Sequence, residues 1–208
     1  MRRYASRTIE PKLSRGSRGF TMIELLLILS LMLILALFGY PTLVRYIHKS
    51  KLISVARQTT SLMNLSRFEA VKRNRTVRVE ADFVANRMLA YADLDDSGAY
   101  EEANDRLVNQ FALPQDVRFW GPADSAPNGA DAISNFSSDA SKGWAVYKTD
   151  GSIERTGAIR FGDNVGNFLE VRVQDIAGAR TRLLKWDTAV SPSAWVAEGT
   201  AGKNWVFN

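Results

Sequence analysis

The chain has 208 residues, 46% of them apolar and 24% charged, with no cysteine and a single histidine, His48. That length suits one domain of ordinary size plus an appendage, and the composition excludes a wholly disordered or collagen-like chain. It also excludes a disulfide framework, a cysteine nucleophile, thiolate zinc and any metal site built from several imidazoles.

The net charge of +5 belongs to the N-terminus: residues 1–19 carry Arg2, Arg3, Arg7, Lys12, Arg15 and Arg18 against Glu10, and the remainder balances. An uncharged run follows from Leu25 to Val44, LLLILSLMLILALFGYPTLV, close to the roughly 20 residues a helix needs to cross a hydrocarbon layer. A secretory signal has a shorter apolar core, about 7–15 residues, and a small-x-small cleavage site; here no A-x-A follows, and GYPTLVRYIHK continues a helical pattern. The basic leader predicts a cytoplasmic N-terminus with residues beyond about 45 on the far side, although Arg45, Lys49 and Lys51 pull the other way. Glu24 stands at the start of the apolar run. An unpaired carboxylate facing lipid costs a few kcal/mol, so it calls for a cation, unless it sits at headgroup depth.

The string R-G-F-T-x-I-E-L-L, at Arg18, Gly19, Phe20, Thr21, Ile23, Glu24, Leu25 and Leu26, closely resembles the processing site of type IV pilins and type II secretion pseudopilins. The resemblance implies that a membrane-bound prepilin peptidase cuts after Gly19 and methylates the new amine of Phe20. Pro41 falls where many such proteins carry a helix-bending proline. Cleavage creates an ammonium one helical turn from Glu24, with both charges in an apolar layer where each wants a partner. In a filament the resemblance implies that Glu24 meets the Phe20 amine of an adjacent subunit; a pair within one chain is the alternative.

The head is similar to the GspH/FimT branch, through the long helix leading into T-V-R-V-E-A and through K-T-D-G-S-I at Lys148–Ile153. The absence of cysteine argues for a minor subunit. The resemblance thus implies a structural, non-enzymatic subunit of a type IV pilus or type II secretion pseudopilus, near the tip or in initiation. Its implied partners are other pilins or pseudopilins, prepilin peptidase, the assembly machinery and the lipid bilayer. Its implied place is the bacterial inner membrane, head in the periplasm, and then the filament.

Helical spacing continues through Leu43, Ile47, Leu52, Val55, Ala56, Thr59, Leu62, Met63, Leu65, Phe68 and Val71. It predicts one helix from about Thr21 to about Lys72, kinked rather than ended at Gly39 and Pro41 and on the order of 75 Å long. Residues 20–50 are expected to remain free for lipid or other helices, with the stripe from Leu62 to Val71 packed on a sheet. The division is a cleaved leader 1–19, a membrane and filament-core helix 20–45, an amphipathic helix 46–75 and a β-rich head 76–208. Between Arg45 and Arg78 nine Lys/Arg residues face one acid, Glu69. Such a run can bind phosphate in nucleic acid, anionic headgroups, or acidic faces of neighbouring subunits. A DNA-binding minor pilin is therefore an alternative function, although no interleaved aromatics offer a stacking platform.

From Thr76 the period becomes two: TVRVEA, RMLAYAD, DVRFW, GWAVYK, AIRF, FLEVRV and TRLLKWD, separated by Gly, Asn, Asp and Ser. The expected fold class is α+β, a long N-terminal helix packed on an antiparallel β-sheet head, with a turn at Asp150-Gly151. Residues 121–142 have loop composition. Asp93, Asp95 and Ser97, in D-x-D-x-S-G, resemble half of a calcium loop. The twelfth position is Asn104 rather than glutamate, and an ordinary hairpin connection uses the same residues. No other cofactor is indicated. Glu101, Glu102 and Asp105 have no nucleophile or base beside them in sequence, His48 lies among cations, and Ser30 lies in the apolar run; no catalytic motif is present.

Overall fold

A computed structural model describes residues 19–95, 97–189, 192–197 and 205, with the side chains of Gly39, Pro41 and Thr42 also outside the description. The chain forms two units, residues 1–43 and 44–208. One helix, α1 (Met22–Arg73), runs from the first unit into the second, within a residue of the expected bounds at each end. Its backbone is helical through Gly39 and Pro41.

In the first unit α1 is apolar on every side, and all its described side chains from Met22 to Phe38 are exposed. A helix apolar all round needs lipid or other helices for cover. Among the described residues no single helix is long and apolar enough to cross a membrane, but the segments Met22–Phe38 and Leu43–Arg73 pass that test together. The helix begins with Thr21 as N-cap in the T-x-x-E order of a capping box, Thr21-Met22-Ile23-Glu24. The Thr21 hydroxyl accepts the Glu24 N–H at 3.2 Å, and the Thr21 carbonyl accepts the Leu25 N–H at 3.1 Å. Ser30 Oγ donates to the Leu27 carbonyl at 2.8 Å, so this hydroxyl satisfies itself inside the helix.

In the second unit α1 buries Leu52, Val55, Ala56, Thr59, Leu62, Met63, Ser66 and Ala70. The two buried hydroxyls donate back along the helix, Thr59 to Val55 and Ser66 to Leu62, so neither loses a hydrogen bond on burial. The expected stripe from Leu62 to Val71 is therefore two stripes. Leu62 and Met63 face the core, whereas Leu65, Phe68 and Val71 are exposed.

The remaining described residues form eleven strands: β1 (Val77–Asp82), β2 (Arg87–Ala92), β3 (Arg106–Ala112), β4 (Val117–Phe119), β5 (Ile133–Ser134), β6 (Ser137–Ser138), β7 (Lys142–Tyr147), β8 (Gly157–Asp163), β9 (Phe168–Val173), β10 (Thr181–Asp187) and β11 (Ala194–Ala197). They make two antiparallel sheets, ordered β3-β2-β1-β7-β6 and β11-β10-β9-β8-β4, with β5 also paired to β8. Alternate residues fill one core: Val77, Val79 and Ala81 of β1, Met88, Ala90 and Ala92 of β2, Ile159 and Phe161 of β8, and Leu169, Val171 and Val173 of β9. Phe119 joins it, its ring tilted against those of Phe83 and Phe161 with centroids 5.3 and 5.5 Å away.

The α+β class holds, with a second sheet added to the single one the runs implied. The segment 121–142 carries more structure than its composition indicates. It contributes β5 to one sheet and β6 to the other, pairing Ile133 with Ile159 and Ser137 with Trp144. It also buries Ala132, Ile133 and Phe136. Two-residue strands fall below any periodicity that sequence can display.

Candidate assembly site

The helix start brings Gly19, Phe20 and Glu24 together in the first unit. All three are exposed, and the leader residues 1–18 lie outside the described ones. The Thr21 cap gives Glu24 a local role: its own N–H is tied to Thr21, and its carboxylate lies in the first turn, where the positive end of the helix favours an anion. Phe20 precedes that turn, so its backbone nitrogen is outside the helical hydrogen-bond ladder. An acid held at the entry of a helix whose sides are all apolar can pair with a cation brought beside it. Such a pair gains most where water is excluded.

The basic run of α1 is largely occupied inside the head. Lys51 Nζ lies 2.6 Å from Asp116, in the β3–β4 connection, and this contact holds the carboxyl below its usual range. Arg67 donates to the Gly151 carbonyl at 3.0 Å. Lys72 and Arg73 both pair with Glu69, whose carboxyl is lowered chiefly by its bond from Arg73. Arg78 lies 3.9 Å from Asp93 and its guanidinium stands 5.5 Å from the Trp144 ring centre. Most of these cations therefore fasten the helix or the head. His48 Nδ1 lies 3.9 Å from Asp116 and has no hydrogen-bond partner among the described residues, a geometry without a nucleophile or a shared proton.

The acidic turn after β2 is self-contained. Asp93 accepts the Ser97 and Gly98 N–H groups at 3.1 and 3.0 Å, and Asp95 also accepts that of Ser97 at 3.1 Å. The buried Asp105 accepts the Leu94 and Glu101 N–H groups at 3.0 and 2.8 Å. The Ser97 hydroxyl donates to the Ala99 carbonyl at 3.1 Å, and hydrogen bonding from Ser97 holds the Asp95 carboxyl below its ordinary value. Oxygens of Asp93, Asp95 and Asp105 come within 4.8 Å of one another, so Asp105 takes the place beside the two aspartates that the sequence gave to Ser97. With backbone donors and Arg78 already on these oxygens, the cluster is explained as a turn. Glu101 and Glu102 remain exposed and Asp105 buried, so they form no paired acid and base.

One constellation was not legible from motifs. Glu170 on β9 is wholly buried and accepts from Arg160 of β8 at 2.7 Å and from Arg172. Arg160 also pairs with the Asp131 carboxylate, donates to its carbonyl at 3.0 Å, and lies 5.1 Å from the Trp195 ring centre. The only available signal is the β8–β9 register, which sets Arg160 opposite Glu170.

A helix apolar all round at its start and running into a two-sheet head defines the pilin-like class. The family comparisons agree: residues 14–40 match the prokaryotic N-terminal methylation motif, and residues 55–175 match the type II transport protein GspH. Since that second match spans more than half of the chain, the protein belongs to the GspH family. That family makes it a structural subunit of the type II secretion, pseudopilin kind rather than an enzyme. Among solved structures, it is similar to the minor pseudopilin EpsH of the Vibrio cholerae type 2 secretion system, at 16% identity over 65% of this chain and 97% of that one, with a TM-score of 0.43. It is also similar to the Pseudomonas aeruginosa type IV minor pilin FimU, at 13% identity over 72% and 96%, with a TM-score of 0.41. No curated protein is a significant match. Membership implies assembly with other pseudopilins and processing by prepilin peptidase, and the motif with its apolar helix fits anchoring in the inner membrane before assembly.

Proposed function

We propose that the chain is cut after Gly19, methylated on the Phe20 amine, and held in the inner membrane by one pass of residues 20–45, N-terminus in the cytoplasm and head in the periplasm. From there it enters a filament as a minor subunit at the tip or in initiation, through contacts of this helix, with Gly39 and Pro41 giving it a point of bending. Glu24 pairs with the Phe20 ammonium of an adjacent subunit and so sets the register. The observation that carries this reading is the exposure of every described side chain from Phe20 to Phe38, all apolar except Thr21, Glu24 and Ser30. A surface of that kind is stable only under lipid or other helices, and a lone acid within it needs a cation. Mass spectrometry of the assembled protein tests the processing: the expected N-terminus is N-methylated Phe20, and an intact Met1 in filaments refutes it. Deletion followed by separate assays of piliation and of secretion decides which machine it serves, with loss of one and not the other expected.

A further inference from the structure

The uncharged run of α1 ends at Val44, and Arg45, Lys49 and Lys51 follow it within two turns. If residues 20–45 cross the membrane, these cations stand on the far side, where the charge bias of membrane proteins disfavours them. Lys51 is accounted for by Asp116 at 2.6 Å. Arg45 is exposed and has no ion pair among the described residues. The sequence offers it no acid along the helix, since none lies between Glu24 and Glu69. Arg45 and Lys49 are one turn apart on one face, where like charges repel, and an anion shared between them removes that repulsion.

The surface beside them offers hydroxyls and room. Tyr46, 66% exposed, and the exposed Ser50 both line two open hollows of about 610 and 310 Å³. Lys49 lines the larger, and Lys51 with Pro114 of the β3–β4 connection lines the smaller. Depth selects the guest. The headgroup layer is about 5–8 Å thick on each side of the hydrocarbon. At 1.5 Å per residue, Lys49 and Ser50 lie about 6 and 8 Å along the helix from Arg45 and so fall within it. A tyrosine among them fits the aromatic belt found at that depth. Arg57, about 18 Å from Arg45 by the same measure, lies beyond it.

We propose that Arg45, Tyr46, Lys49 and Ser50 form a binding site for the phosphate of an anionic phospholipid, of the phosphatidylglycerol type, in the outer leaflet of the inner membrane. The site rests on the reading of the chain as a single-pass membrane subunit. Arg45 donates to the phosphodiester as a planar fork and Lys49 as a point charge. The hydroxyls of Tyr46 and Ser50 serve the phosphate or the glycerol hydroxyls. A chain held in this way keeps its helix at one depth until it is drawn into a filament.

The test uses the full-length chain in detergent micelles, mixed with equal amounts of phosphatidylglycerol and phosphatidylcholine and weighed by native mass spectrometry. Phosphatidylglycerol is expected to stay on the chain several-fold more than phosphatidylcholine. Arg45→Gln and Lys49→Gln each lower its retention about fivefold, the contribution of one cation beside anionic headgroups. Lys49→Arg keeps it, and so does Arg57→Gln, which removes an exposed cation outside the layer. Millimolar inorganic phosphate does not displace the lipid. Equal retention of the two lipids, a fall as large with Arg57→Gln, or displacement by phosphate overturns the proposal. Alkaline extraction of membranes holding the same chains separates the two claims. An embedded chain without lipid preference refutes the site alone, whereas a chain released by alkali refutes the membrane reading and the site with it.

Discussion

Replacing Glu170 by alanine is expected to weaken the head more than any other single charge removal among the described residues. The carboxylate is wholly buried between Arg160 and Arg172, whose side chains are 11% and 39% exposed. Arg172 can rehydrate, so its share is that of a surface pair, about 0–1 kcal/mol. Arg160 cannot, and removing one member of a buried pair costs about 3–5 kcal/mol because the other charge stays behind unpaired. Asp131 still engages Arg160 through its carboxylate and its carbonyl, which moves the cost to the lower end, about 3 kcal/mol. Glu170→Gln keeps an acceptor for Arg160 and is expected to lose about half as much. All five tryptophans, Trp120, Trp144, Trp186, Trp195 and Trp205, lie in the head, so their fluorescence during urea unfolding of the full chain in detergent reports this unit alone. In a unit of this size, about 3 kcal/mol lowers the melting temperature by roughly 6–12 °C. A loss below about 1 kcal/mol for Glu170→Ala would mean that water or the chain's own relaxation already satisfies Arg160, and the network would not be what secures Asp131 and its segment to β8.

Acid should destabilise the head in a defined window. Asp116, Asp139 and Asp150 are held below their ordinary value of 3.8, Asp116 chiefly by Lys51 and the other two by hydrogen bonds from Ser141 and Ser152. Because the folded values are the lower ones, the stabilisation is complete above the ordinary value and is lost as pH falls through it towards the folded values. Urea midpoints should therefore be flat from neutral pH down to about 5 and then drop, and Asp116→Asn should flatten the drop. Asp93→Ala leaves the Gly98 N–H without its acceptor and the Ser97 N–H with Asp95 alone, and should cost about 1–3 kcal/mol. Equal midpoints in calcium and in chelator are expected for the parent chain, and a calcium-dependent rise would contradict the self-contained turn. Glu24→Leu and Glu24→Gln separate pairing from capping: glutamine can still reach back in a capping box, so both variants should lose incorporation into filaments if the charge matters. Incorporation of Glu24→Gln at the parent level would leave only the cap.

The helix and the alternating strands were legible because their periods run for many residues. The bounds of α1, the Asp150-Gly151 turn and the β8 and β9 runs all appear at their expected places. The two faces of the amphipathic half were not separable, because Leu62, Leu65, Phe68 and Val71 recur at the same spacing whether one stripe or two is present. The buried face is marked instead by Thr59, Ser66 and Ala70, small or self-satisfied residues that hydropathy scores as indifferent. The capping box was visible in T-x-x-E, but the pull of the apolar run concealed it. The second sheet was hidden because β5 and β6 are two residues each and β11 four. Arg160 and Glu170 became partners only through a register that no local pattern states.

A charge count alone makes the stretch from Arg45 to Arg78 look like a surface for phosphate, and the geometry redirects it. Lys51 ties α1 to the β3–β4 connection, Arg67 ties it to the Asp150-Gly151 turn, and Arg78 braces the turn after β2. Each of these bonds is modest when half-exposed, but they join separate elements, so they resist sliding of the helix over its sheets more than they add to stability. A subunit drawn out of a membrane by its N-terminal helix must carry its head with it, and these ties lie along that half of the helix. That leaves Arg45, Arg57 and Arg75 as exposed cations of the stretch with no ion pair among the described residues, too few and too far apart to make the continuous phosphate surface that the count suggests.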